Sequence, residues 1–127
     1  MTPPPRAELP RSQRIRRRAD FTRIQDGGAK VSTPHFLLLG ERREDDAPAR
    51  LGVVASRKVG NAVCRNRAKR LIREAFRRHA ARLPPGLDLV VVARPGAHEL
   101  AAAEAEAEIA SALPRIVKRT APRTRGP

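Results

Sequence analysis

The chain reads as a single α+β domain in which helices cover mainly one face of a sheet. Three observations point there: a β-branched run, Leu89-Val90-Val91-Val92, suited to burial on both faces; an apolar strand, Leu51 to Ala55, running straight into a long one-sided basic helix; and helical patterns before and after them. The order helix, strands, helix, strand, helix puts a strand–helix–strand crossover around the basic helix. A length of 127 residues suits one domain, and 40% apolar content supports one modest core.

Taken in order, residues 1–14 combine Pro3-Pro4-Pro5, Pro10 and several Arg with few large apolar side chains, and are expected to form a flexible basic tail. Arg18 to Gln25 reads as a short helix with Phe21 and Ile24 on one side, closed by Gly27-Gly28. Val31 and then His35 to Gly40 suggest extended chain, with Phe36, Leu37, Leu38 and Leu39 a buried run. An acidic loop, Glu41 to Asp46, precedes the strand Arg50 to Ser56. Leu87 to Ala93 is the next strand, and a last helix is expected over Glu99 to Leu113, burying Ala102, Ile109 and Leu113. The domain is placed at 15–117, with a second flexible basic tail at 118–127.

The stretch Lys58 to Arg78 says most about function. Asn61 is placed to cap a helix, Gly60 allows the sharp turn before it, and Pro84-Pro85-Gly86 ends the pattern. At helical spacing Cys64, Ala68, Leu71, Ile72 and Ala75 share a face, with Phe76 at its margin. Asn66, Lys69, Arg70, Arg73 and Arg77 point the other way. Some 20 helical residues span about 30 Å, enough for a cationic stripe along several phosphates. Arg suits that task because its planar fork makes paired hydrogen bonds to phosphate and stacks on bases. An ordinary solvated helix mixes signs at i,i+4 spacing, yet Glu74 is the only acid in this stretch, so the like charges repel unless a polyanion relieves them.

The formal charge of +14 points to nucleic acid or an anionic membrane. No membrane partner is expected, because no apolar run approaches a spanning length and the basic helix lacks Trp and large apolar anchors. One cysteine excludes an internal disulfide and a Cys-rich zinc site, and with no apolar leader core near Met1 the cytoplasm is the expected location. Cys64 reads as a small buried hydrophobe, and His35, His79 and His98 match no metal spacing, so no metal site is expected. Phe21, Phe36 and Phe76 are the only aromatics, too few for a platform of several exposed rings. No acid/base pair, nucleophile set or metal cage assembles from these residues, so no catalytic side chain is assigned.

The residues closely resemble the protein subunit of bacterial ribonuclease P. That family carries a strand ending in Ser-(Lys/Arg)-Lys, then Val-Gly-Asn-Ala-Val, Arg-Asn-Arg, Lys-Arg and Arg-Glu; this chain has Ser56-Arg57-Lys58, Val59 to Val63, Arg65-Asn66-Arg67, Lys69-Arg70 and Arg73-Glu74. The likeness extends to Arg14-Ile15-Arg16, Ala19-Asp20-Phe21 and Val90 to Arg94, covering Arg14 to Ile116. It implies an α-β-β-β-α-β-α sandwich resembling a ribosomal-protein domain, with a left-handed crossover against the usual rule. It also implies that the RNA subunit, with bound Mg²⁺, cleaves precursor tRNA to free the mature 5′ end while the protein binds substrate and stabilises the holoenzyme. By matching position, Lys58, Asn61, Arg65, Asn66, Arg67, Lys69, Arg70 and Arg73 would contact the RNA subunit, and Phe21, Phe36 and Leu38 would line a cleft for the single-stranded 5′ leader. Where the family often has further aromatics, this chain has Gln25 and Leu39, which should weaken or alter leader contact.

The alternative is a structural RNA-binding protein of ribosomal type with no role in tRNA processing. A DNA-binding regulator fits worse, because Gly60-Asn61 joins a strand to the helix, where a helix-turn-helix needs two helices; no DNA partner is expected.

Overall fold

The computed structural model describes residues 11–120. In chain order these form a 3-10 turn at Arg11–Gln13, helix α1 (Arg18–Gly27), strands β1 (Ala29–Ser32), β2 (Phe36–Arg42) and β3 (Arg50–Ala55), helix α2 (Ala62–His79), strand β4 (Leu87–Ala93) and helix α3 (Ala102–Thr120). Short 3-10 turns at Ala80–Arg82 and Ala97–Glu99 follow α2 and precede α3. The sheet order is β1-β2-β4-β3. β2 is antiparallel to β1 and β4, while β3 lies parallel to β4 as the crossover through α2 requires.

Alternation along the strands sends one set of side chains under α2 and α3 and the other under α1. Phe36, Leu38, Leu89 and Val91 enter the main core against Leu71, Ile72 and Phe76 of α2 and Ile109 and Ile116 of α3. Leu39 and Val90 face the other way, where a smaller cluster gathers Ile15 and Ile24 beneath α1. The last strand is therefore buried on both faces, which is why its sequence is an unbroken aliphatic run.

Both tail expectations need correction at their inner ends. Residues 1–10 and 121–127 lie outside the described residues. Of the remainder, Arg11–Gln13 forms the 3-10 turn and Arg14 bridges to Leu51 of β3, where the Ile15 N–H donates to the Leu51 carbonyl at 2.9 Å. At the other end α3 starts later and runs further than expected, passing Pro114 and including Lys118 and Arg119. A proline inside a helix removes one backbone hydrogen bond and crowds the preceding turn, but Ile116 beyond it is wholly buried and outweighs that penalty. At the start of α3 the Glu104 carboxylate accepts from the Ala101 N–H at 2.9 Å, as in half of a capping box. Glu108 ties the helix to the β1–β2 turn. Its carboxylate accepts from Thr33 Oγ1 at 2.6 Å and the His35 N–H at 2.7 Å, and pairs with His35 Nδ1 at 2.8 Å.

Candidate nucleic-acid interface

The basic helix is launched by a rigid turn. Ser56 Oγ accepts from the Lys58 N–H at 3.3 Å, Val59 plugs into the core, and Gly60 takes φ +144°, a value that side-chain-bearing residues rarely adopt. Asn61 then caps α2, its Oδ1 accepting from the Cys64 N–H at 3.0 Å. Beyond the cap, Asn66, Arg70 and Arg73 are exposed and Lys69 half-buried, and with Arg57 and Lys58 before the helix they form a cationic surface. Not one of these cations meets a carboxylate among the described residues. Val63, 75% exposed, sits among them as the one large apolar side chain left in solvent among the described residues.

Two of the eight expected RNA-contacting residues have other partners or surroundings. Arg67 spends its guanidinium on backbone: Nε donates to the His98 carbonyl at 2.6 Å and Nη2 to the Leu100 carbonyl at 3.1 Å, locking the turn before α3 onto α2. Arg65 is half-buried with its Nε out of reach of water and without a partner. Position on the helix explains it, since at helical spacing Arg65 falls in the same angular sector as Ile72 and Phe76, at the edge of the apolar face. Toward the far end, Glu74 binds Arg77 at 2.9 Å and lies 3.9 Å from Arg78, so the stripe is neutralised there and its unpaired part is the N-terminal half of α2.

A second candidate surface lies on the opposite face of the sheet, where α1 leaves part of it open. Phe36 and Leu38 do not line it. Both are wholly buried beneath α2 and α3, so their assignment to a leader cleft is corrected. Strand parity gives the open face to the alternate residues, and the cross-strand row Leu37, Val92, Val54 stands half-buried there. Phe21 does belong to this face. Its ring rests on Gly52, where a β-carbon would fall 2.6 Å from the ring's Cε1. Phe21 lines a groove of about 560 Å³ with Val54, Thr22, Gln25, Arg16 and Arg18. Arg16 is shared with a neighbouring groove of about 490 Å³ that Ser12, Arg14, Arg17, Asp20 and Arg50 complete. The run Arg14 to Arg18 was the missed signal, being a charge cluster directly before an amphipathic helix.

Beneath that second groove the charges are paired. Asp88 of β4 is wholly buried and takes a fork from Arg50, with Nε–Oδ1 at 2.8 Å and Nη2–Oδ2 at 2.7 Å. Arg23 of α1 reaches Oδ2 at 3.0 Å, and Arg43 donates to Oδ1. Burial pushes the Asp88 carboxyl up, but the bonds from Arg50 and Arg43 outweigh it and hold it below the usual carboxylate range. Arg23 also pairs with Glu41 and Asp20, and Arg43 with Asp45. These arginines stabilise the fold, whereas Arg14, Arg16, Arg17 and Arg18 have no carboxylate partner among the described residues.

Among the described residues no three His, Cys, Asp or Glu side chains gather so as to hold a metal ion, and no helix is long and apolar enough to cross a membrane. The sequence pattern of the family described as Ribonuclease P matches residues 9–117. The chain belongs to that family. The ribonuclease P protein component of Desulfovibrio desulfuricans is 45% identical over 114 residues, covering 89% of this chain and 86% of that protein. Among solved structures, the ribonuclease P protein of Staphylococcus aureus superposes with a TM-score of 0.75 at 32% identity, over 87% of this chain and 99% of that one. The Thermotoga maritima ribonuclease P protein gives 0.73 at 34% identity, over 81% and 96%. The chain has the mixed three-helix, four-strand fold of those structures.

Proposed function

We propose that this protein binds the catalytic RNA subunit of ribonuclease P through the N-terminal half of α2 and the single-stranded 5′ leader of precursor tRNA through the open sheet face beside α1. Together they would remove the leader endonucleolytically and leave the mature tRNA 5′ end. The observation that carries this reading is the segregation of charge. Arginines packed around Asp88 are neutralised, while Arg70 and Arg73 of α2, Arg57 and Lys58 just before it, and Arg14, Arg16, Arg17 and Arg18 are exposed and meet no carboxylate among the described residues. A folded protein tolerates such repulsion poorly unless a polyanion screens it. The two surfaces differ in chemistry, as two RNA targets would require. The α2 surface is almost wholly cationic, suited to phosphates of a structured RNA, whereas the α1 cleft pairs arginines with Phe21 and an aliphatic floor, suited to unstacked bases.

In this reading the protein supplies position and charge, and Mg²⁺ is held mainly by the RNA subunit, as the family resemblance implies. The cytoplasm is the proposed site of action.

The test is 5′ cleavage of a precursor tRNA by the matching ribonuclease P RNA at low Mg²⁺, with and without this protein. Strong stimulation by the protein, and no cleavage by the protein alone, is the expected result. Tight RNA binding by a folded sample without stimulation would overturn it in favour of a structural RNA-binding role.

A further inference from the structure

We infer that Asp88 is a positioning residue for substrate binding: from inside the sheet it fixes the arginines that hold α1 and its cationic rim over the cleft. This rests on the proposed leader-binding role of that cleft and names the device that shapes it.

Asp88 touches neither groove. It sits on the central strand, wholly buried, with Glu41 and Arg50 as its cross-strand neighbours. Its two oxygens collect guanidiniums from three separate elements: Arg23 from α1, Arg43 from the loop after β2, and Arg50 from β3. Arg43 carries the restraint onward by donating to the carbonyls of Ala47 at 3.1 Å and Pro48 at 3.0 Å, which fixes the chain entering β3. Arg50 carries it into the groove, whose wall it forms with Arg14, Arg16 and Arg17. Arg23 carries it to α1, the helix that bears Phe21 and Arg18. One carboxylate therefore sets the height and rotation of α1 relative to the sheet floor.

Apolar packing alone would hold a helix on a sheet at least as firmly, because burying a charge is costly and often no more stabilising than a hydrophobic substitute. What the ionic fixture adds is direction. A two-pronged fork from Arg50 and single donors from Arg23 and Arg43, converging on two oxygens, admit far fewer orientations than a greasy contact does. A groove meant to seat a flexible single strand gains from that restraint, since the cost of ordering falls on the strand and not on the protein as well.

The test uses the reconstituted holoenzyme and compares a precursor tRNA carrying a leader of several nucleotides with the same tRNA carrying a one-nucleotide leader. Asp88→Asn keeps the side chain's shape and removes its charge. It is expected to weaken binding of the long-leader substrate about tenfold, on the order of one lost stacking or phosphate contact. Affinity for the one-nucleotide substrate and for the RNA subunit should change by less than about twofold. Arg23→Gln, at a side chain 40% exposed and outside both grooves, should give a smaller loss with the same selectivity, and it carries the test if Asp88→Asn fails to fold. Equal loss for both substrates, or an unchanged long-leader affinity in a folded variant, would overturn the positioning role. A wild-type holoenzyme that binds the two substrates equally would instead overturn the leader-binding reading on which it rests.

Discussion

Single side chains on α2 divide into those that face a partner and those that hold the fold, and charge alone does not sort them. Arg70 and Arg73 are exposed and unpaired, so Arg70→Ala with Arg73→Ala should leave the thermal midpoint unchanged and weaken RNA-subunit binding. The slope of log affinity against log salt should become shallower by about 1.4 to 1.8, as two phosphate contacts are lost. Arg67→Ala should do the reverse. Losing its two bonds to the His98 and Leu100 carbonyls is expected to cost about 1 kcal/mol, seen as a lower urea midpoint at unchanged denaturant slope. Nothing in the spacing of Arg65-Asn66-Arg67 announces that Arg67 will bind backbone, because its acceptors lie some 30 residues on and meet it only in the folded state. Arg65, assigned to RNA by matching position, did carry a contrary signal, since helical spacing sets it beside Ile72 and Phe76 at the edge of the apolar face. The assignment of Phe36 and Leu38 to the leader cleft failed at the same scale. In Phe36-Leu37-Leu38-Leu39 every residue is apolar, so the sequence lacks the alternation that would tell one face from the other.

Whole elements were more readable than their ends. The start of α2 was legible from Gly60 and Asn61, which is what a strong local signal looks like: one residue for the turn, one for the cap. Asn61→Ala should therefore cost about 1 kcal/mol of stability by removing the cap. Any loss of RNA affinity beyond that, measured where both forms are fully folded, would be the contribution of its exposed position. Helix α3 was the harder case. Pro114 is an ordinary stop signal, and only the burial of Ile116 against the sheet, a tertiary fact, shows that the helix continues through it. The same distinction holds at the N-terminus. Pro-rich composition suggested loose chain up to Arg14, yet one backbone bond to Leu51 is enough to seat Ile15 in the smaller core.

For the molecule as a whole, the α+β class and the position of the basic helix were legible from residue patterns, while the long-range charge pairing stayed hidden. That pairing sets the response to acid. Asp88 and Glu108 are both held below their ordinary values. In each, burial pulls upward and is outweighed, for Asp88 by arginine bonds and for Glu108 by hydrogen bonds from Thr33 and His35. A carboxylate so depressed contributes stability that is fully present above its unfolded value and drains away as pH falls through the folded one. Unfolding free energy should accordingly be nearly flat near neutrality and decline below about pH 4. Asp88→Asn should flatten that decline, which denaturant titration at stepped pH would measure. The strand order has a further consequence, for biosynthesis. β4 joins β2 to β3 and is the last strand to be made, so before residue 93 emerges the growing chain has only the β1–β2 hairpin to pair. Most of the positive charge has by then left the ribosome on a chain with no finished sheet. Nascent chains halted before Leu87 should be cut readily by protease, and chains long enough to expose α3 should resist it.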